Sequence, residues 1–186
     1  MHELILGGVK SGKSAAALAR AQAWLGPEGR QATFIATAYA GDREMARRIA
    51  LHQASRAHVI PAMACVELRH NELVQTLMQH SQPDRLLVVD CLTLWLTQLL
   101  LPQSGVPVAG VQVQSVMADL TDALRAVPGP VVLVSNEIGL GVTPLGADTR
   151  RFLDALGQLH QMVAACCERV TLMVAGCELA VKGGVR

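Results

Sequence analysis

Aromatic residues are scarce in this chain: Phe, Trp and Tyr together make up 3% of its 186 residues. Proteins that hold single-stranded nucleic acid use aromatic stacking platforms along a basic groove, and a net charge of +1 supplies no such groove. Charged residues reach only 17% against 51% hydrophobic, the balance of a globular chain with a substantial core rather than a disordered one. No apolar run is long enough to span a bilayer, because the best stretch, around Cys91 to Leu101, falls well short of the roughly 18 residues required. Cysteine is sparse as well. Cys65, Cys91, Cys166, Cys167 and Cys177 form no C-x-x-C pair, and the adjacent Cys166 and Cys167 cannot easily share a metal in a normal helix. Their apolar neighbours suggest small buried hydrophobes in a reducing compartment. The N-terminus enters a strand at once, which leaves no space for a secretory leader, so a cytoplasmic location is expected. Without an internal repeat, low-complexity tract or linker, residues 1–186 read as a single domain.

What the chain does contain is a glycine-rich turn in a telling place. Residues 4–14 read Leu-Ile-Leu-Gly-Gly-Val-Lys-Ser-Gly-Lys-Ser, an apolar strand running into a loop with the spacing G-x-x-x-x-G-K-[ST] at Gly7, Gly12, Lys13 and Ser14. Glycines there let the backbone N–H groups turn inward around phosphate. Lys13 places a positive charge on the β- and γ-phosphates, and the Ser14 hydroxyl can reach Mg²⁺. The whole loop, Gly7, Gly8, Val9, Lys10, Ser11, Gly12, Lys13 and Ser14, is therefore a candidate nucleotide cradle.

Short β-like runs alternate with helix-length segments along the rest of the chain. Strands are predicted at His2–Leu6, Ala32–Thr37, Arg85–Asp90, Pro130–Ser135 and Val170–Val174, all rich in Val, Ile and Leu as strands buried on both faces should be. Helices are predicted at Lys13–Leu25, Asp42–Ser55, Leu68–His80, Cys91–Leu101, Gly110–Ala126 and Asp148–Cys167, with turns at Pro102–Pro107 and Pro128–Pro130. Such alternation implies an α/β fold with a mostly parallel sheet covered by helices on both faces. Ligands of these sheets gather at the carboxyl ends of the strands. That rule brings Thr37, Asp90 and Ser135-Asn136-Glu137 towards the phosphate loop. Asp90 follows Leu86-Leu87-Val88-Val89, the pattern in which a strand-end carboxylate holds Mg²⁺ directly or through water. Asn136 and Glu137 could orient substrate, serve a second Mg²⁺, or cap a loop.

The segment from Asp42 to Arg56 places Glu44, Arg48, His52 and Arg56 on one helical face. One reading is a solvated stripe in which Glu44 pairs with Arg48 for a few tenths of a kcal/mol. The other is a pair of guanidinium forks that bracket an imidazole at a phosphate. A neutral imidazole is nucleophilic at cellular pH, and attack on phosphorus would give a labile N–P intermediate. The remaining histidines, His2, His58, His70, His80 and His160, lack two flanking arginines at helical spacing and read as structural or exposed.

In this order the motifs resemble the bifunctional adenosylcobinamide kinase/adenosylcobinamide-phosphate guanylyltransferase family of cobalamin biosynthesis. The resemblance runs from Leu6 to about Gly176. It rests on Gly7–Ser14, Ile35-Ala36-Thr37-Ala38, Glu44-Met45 with Arg48-Ile49-Ala50-Leu51-His52 and Arg56, Val89–Leu96, Ser135–Gly139 with Gly141, and Pro144 with Arg151-Phe152. It implies a P-loop NTPase fold of the RecA-like kind, commonly assembled as a homotrimer. It further implies two activities: ATP or GTP phosphorylates adenosylcobinamide, and GTP then guanylylates an enzyme histidine that passes GMP to adenosylcobinamide phosphate. His52 occupies the position matching that histidine. Lys13 would stabilise the transferring phosphoryl group, Ser14 and Asp90 would hold Mg²⁺, and Arg48 and Arg56 would contact phosphate. Thr37 and Ala38 would meet the nucleotide through hydroxyl and backbone groups. The chain departs from the family pattern after Arg56. Val59-Ile60-Pro61-Ala62-Met63 stands where a Trp, a Thr and a Glu are usual, a change that bears on guanine selection and leaves Lys13 and Asp90 untouched. Two other functions fit the phosphate loop: a small-molecule kinase without a covalent intermediate, and a RecA-like nucleotide-driven switch.

Overall fold

The computed structural model describes residues 1–26, 29–38, 43–61, 63–68, 72–101 and 110–184, without the side chains at 45, 48, 52, 55–57, 110 and 111. Its core is a sheet of strands β1 (His2–Gly7), β2 (Gln31–Ala36), β3 (Ala64–Glu67), β4 (Arg85–Asp90), β5 (Val131–Asn136), β6 (Arg169–Val174) and β7 (Cys177–Lys182). Between them run helices α1 (Lys13–Leu25), α2 (Arg43–Val59), α3 (Leu73–His80), α4 (Leu92–Leu100), α5 (Gly110–Ala126) and α6 (Ala147–Cys166). The spatial order is β3-β2-β4-β5-β1-β6-β7. Every pairing from β3 to β6 is parallel, and only β7 runs antiparallel to its neighbour.

Successive side chains of the central strands point to opposite faces, and each face has its own apolar layer. Leu87 and Val89 of β4, Leu133 of β5 and Leu4 of β1 pack with Leu77, Trp95, Leu96, Met117, Leu120, Leu159 and Val163 from α3 to α6. Leu86, Val88, Val132, Val134 and Ile5 pack with Ala16, Ala17, Leu18 and Ala21 of α1. The small residues on the sheet-facing side of α1 let that helix sit close to the strand it leaves, which fixes the direction of its N-terminus. Burial on both faces explains why β4 and β5 read as continuous apolar runs.

Two strands lie outside the sequence-based expectation. β3 is a four-residue edge strand whose side chains are mostly exposed, so it carries no apolar signature, and the helix expected over Leu68–His80 begins only at Leu73. β7 is exposed at all six positions and owes its place to a two-residue turn. Ala175 and Gly176 both adopt positive φ, 51° and 82°, the conformation that joins twisted antiparallel strands. The cysteines also need correction. Cys91 and Cys167 are buried and Cys166 is half-buried, but Cys65 and Cys177 are exposed, because each sits in one of these two edge strands. Of the histidines read as structural or exposed, His160 is buried. Among the described residues no helix is long and apolar enough to cross a membrane. The turn expected at Pro102–Pro107 lies outside the described residues.

Candidate active site

The loop between β1 and α1 is held open by close backbone packing. A Cβ on Gly7 would lie 2.5 Å from the Met173 carbonyl oxygen and 2.6 Å from Ser11 Oγ, so no side chain fits there. Lys10 and Gly12 take positive φ, 57° and 103°, and Gly12 caps α1. The loop is thereby delivered to the positive end of the α1 dipole, where unpaired helix amides favour an anion. A strut outside the loop adds to this: the Gly176 N–H donates to the Ser11 carbonyl over 3.0 Å. Gly8, Val9 and Lys10 are exposed, whereas Ser11 and Lys13 are buried.

The Lys13 ammonium donates to the Gly8 carbonyl over 2.5 Å and lies 3.5 Å from Ser11 Oγ. Burial lowers its pKa from the ordinary lysine value, and the charge of Asp90 opposes that shift. One helical position on, Ser14 Oγ donates to Asp90 Oδ2 over 2.7 Å. The strand-end carboxylate and the loop hydroxyl thus converge from β4 and α1, as their sequence patterns anticipated. Both are hard oxygen donors, and among the described residues no three His, Cys, Asp or Glu side chains cluster as a closed metal cage. A hydroxyl and one carboxylate are a donor set that fits Mg²⁺, which is bound by few protein oxygens and keeps much of its hydration.

Behind Asp90 the polypeptide is braced by Thr37. Its buried hydroxyl donates to the Cys91 carbonyl and accepts from the Cys91 N–H, both at 2.7 Å, across an Asp90–Cys91 peptide that is cis. The Thr37 carbonyl in turn accepts from Gln98 Nε2 at 2.5 Å. The hydroxyl expected to meet nucleotide is therefore already engaged in holding the end of β4, while Ala38 is half-buried beside it. Cys91 is no candidate nucleophile, since burial and then the Asp90 charge push its thiol up to about 12.

The carboxyl end of β5, already marked by Ser135-Asn136-Glu137, gains two partners that residue patterns did not single out, Thr93 and His160. Ser135 Oγ lies 2.7 Å from His160 Nε2 and 3.0 Å from Thr93 Oγ1, and Thr93 Oγ1 accepts the Asn136 N–H at 2.7 Å. His160 Nδ1 faces Glu137 Oε2 at 3.6 Å. A signal for this existed: Leu156, Leu159, His160 and Val163 are the buried residues of α6, an apolar helical stripe in which the imidazole takes one place. Arg48, His52 and Arg56 all belong to α2 by backbone, which follows β2 in the chain. Their side chains lie outside the described residues.

Against this geometry, the comparisons with known proteins are decisive. Residues 3–181 match the model of the family described as cobinamide kinase / cobinamide phosphate guanyltransferase. The chain belongs to this family. It is 45% identical over 183 residues to the bifunctional adenosylcobalamin biosynthesis protein CobP of Pseudomonas aeruginosa, covering 98% of each chain. It is 32% identical over 190 residues to the bifunctional adenosylcobalamin biosynthesis protein CobU of Salmonella typhimurium, covering 98% of this chain and all of that one. The CobU protein of Escherichia coli is 30% identical over 194 residues, with the same coverage. In architecture the cobinamide kinase family member resembles the crystal structure of the flagellar accessory protein FlaH from Methanocaldococcus jannaschii, with a TM-score of 0.53. That match spans 99% of this chain and 80% of the other at 12% identity, so it speaks to the RecA-like P-loop fold alone.

Proposed function

We propose that this chain phosphorylates adenosylcobinamide with ATP or GTP and then transfers GMP from GTP to adenosylcobinamide phosphate, giving adenosylcobinamide-GDP. The observation that carries the reading is the convergence of Ser14 and Asp90 beside buried Lys13 at the start of α1, in a chain matched by the family over residues 3–181.

In the first step the amides of Gly8 to Ser14 and the Lys13 ammonium hold the triphosphate and offset the charge that builds on the transferring group. Ser14 and Asp90 would hold Mg²⁺, which supplies charge neutralisation at the β- and γ-oxygens. In the second step a neutral His52 nitrogen bonds to the α-phosphorus of GTP as the bond to the pyrophosphate leaving group breaks. Reprotonation of the ring then lets the acceptor phosphate oxygen displace it. Arg48 and Arg56 bracket His52 on α2 and match phosphate oxygens. Thr37 holds the Asp90 strand end, and Ala38 offers backbone to the nucleotide. The protein works in the cytoplasm, as a homotrimer whose nucleotide sites lie near subunit boundaries.

The stretch from Val59 to Met63 supports a second reading, a kinase that has lost the guanylyl step. It offers no aromatic surface for guanine, and its Ile60 is committed to the core beside α1. The deciding experiment incubates pure protein and Mg²⁺ with GTP labelled at the α-phosphate. An acid-labile, alkali-stable adduct that vanishes in His52→Ala supports the bifunctional reading. No adduct in the unaltered protein, with phosphorylation of cobinamide intact, supports the kinase alone.

A further inference from the structure

The polar chain at the end of β5 has the outward form of a nucleophilic triad, with a serine, a histidine and a carboxylate in series. Ser135 cannot act as a nucleophile, however, because it is wholly buried and its hydroxyl is enclosed by Thr93 and His160. The chain must then deliver something at its other end, and that end is Glu137.

Glu137 stands beside the phosphate loop. Three carboxylates stand at the carboxyl ends of the parallel strands among the described residues. Glu67 ends β3 at the far edge of the sheet and accepts from Gln53 Nε2 at 2.8 Å. Asp90 is bonded to Ser14 on the metal side. Glu137 follows β5, the strand next to β1, and its N–H donates to the Gly7 carbonyl over 2.9 Å. It is thus stitched to the first residue of the phosphate loop, and its side chain remains 20% exposed.

The groups around it fix its orientation. Glu137 Oε1 accepts the Gly139 N–H at 2.6 Å. On the other oxygen, a carboxylate disfavours a ring nitrogen that presents a lone pair, so the Nδ1 of His160 carries the proton and Nε2 accepts from Ser135. The hydrogen bonds then run in one sense, from the Asn136 N–H to Thr93, to Ser135 and to His160, whose Nδ1 faces Glu137 Oε2 at 3.6 Å. Three elements of the core, β5, α4 and α6, are engaged to aim one carboxylate. That is far more support than a loop cap requires, since the Gly139 contact alone closes that turn.

We propose that Glu137 accepts the proton of the acceptor hydroxyl in the phosphoryl step, and that His160 is the positioning residue that aims it. This deepens the kinase reading above and rests on it. The hydroxyl oxygen bonds to the γ-phosphorus while the bond from that phosphorus to the β,γ-bridging oxygen breaks, its electron pair leaving with the nucleoside diphosphate. The hydroxyl proton passes to Glu137 and from there to water.

The test uses the full chain with cobinamide, ATP and Mg²⁺. For Glu137→Gln, kcat for phosphorylation falls by on the order of 10²- to 10⁴-fold, the usual worth of a positioned base, while KM for ATP changes little. Labelling by α-labelled GTP checks in the same sample that the nucleotide site is assembled. His160→Asn keeps a donor in the place of Nδ1, whereas His160→Gln places its amide near Nε2, so the Asn variant retains the higher kcat. Wild-type phosphorylation by Glu137→Gln, or equal kcat in the two His160 variants, would overturn the proposal. If the unaltered protein labels with GTP yet never phosphorylates cobinamide, the kinase reading falls first and takes this inference with it.

Discussion

Ser14 and Asp90, 76 positions apart in the chain, meet in a 2.7 Å hydrogen bond at the carboxyl edge of the sheet. The bond exists because α1 leaves β1 at Gly12 and because β4 ends where its apolar run gives way to a carboxylate. Replacing Asp90 with Asn keeps an oxygen for Ser14 but removes the charge. We expect kcat for phosphorylation to fall by roughly 10²- to 10³-fold, the scale seen when one electrostatic group is lost from a transition state. The Mg²⁺ concentration needed for half-maximal rate should rise. Unchanged Mg²⁺ dependence in Asp90→Asn would remove this residue from the metal site.

Gly7 allows a sharper structural prediction. A methyl there meets the Met173 carbonyl oxygen and Ser11 Oγ well inside van der Waals contact, and the Met173 carbonyl belongs to β6, which cannot retreat without disturbing its pairing with β1. Gly7→Ala should destabilise the fold by about 1–3 kcal/mol, the usual cost of overpacking, and should weaken nucleotide binding in calorimetry. Gly8→Ala is the control, since a Cβ at Gly8 meets nothing within 4 Å.

Thr37 serves two backbone groups with one hydroxyl. Thr37→Val preserves shape and leaves the buried Cys91 N–H and C=O without that partner, a loss of about 1–3 kcal/mol for stranded buried polar groups. Thr37→Ser should recover most of it. Denaturant midpoints of the three proteins give the comparison, and equal midpoints for Val and Thr would mean that the brace is dispensable.

The imidazole of His160 has its pKa lowered from the ordinary value of 6.5, chiefly by burial and partly offset by the Glu137 charge. Below that ordinary value the unfolded chain takes up a proton that the folded chain refuses. Stability therefore falls as pH drops from the ordinary imidazole range towards the folded pKa, with a slope of at most about 1.4 kcal/mol per pH unit for one proton. His2 titrates in the same sense, so the informative quantity is the difference between wild type and His160→Asn. Between pH 7 and 5 the variant should lose less stability; parallel curves would place the effect elsewhere.

The parts of the molecule legible in the sequence are those whose cause is local. The Gly7 to Ser14 loop is specified by backbone conformations that glycine permits, and β4 and β5 by uninterrupted burial. β3 and β7 were hidden because an exposed edge strand is defined by its neighbour rather than by its own composition. The reading of His160 as structural or exposed left its partner open, because Ser135 is 25 residues away on another element and neither residue announces the other. The helical spacing of Glu44, Arg48, His52 and Arg56 left a solvated stripe and a phosphate site both open, and the likeness to the family gave the guanylyl reading; α2 extends through all four positions.

One consequence follows from the turn at Gly176, whose amide reaches Ser11. The opening and closing stretches of the polypeptide are mechanically joined there, the first forming the glycine-rich loop and the last ending in an open ribbon at the border of the sheet. Load applied to that ribbon, by a fused domain or an immobilising tether, would reach the loop through that amide as well as through the pairing of β7 with β6 and of β6 with β1. Attachment at the other end of α1's neighbourhood is no safer, since Met1 leads straight into β1. For work on a surface, the outward side of α5 is the better anchor.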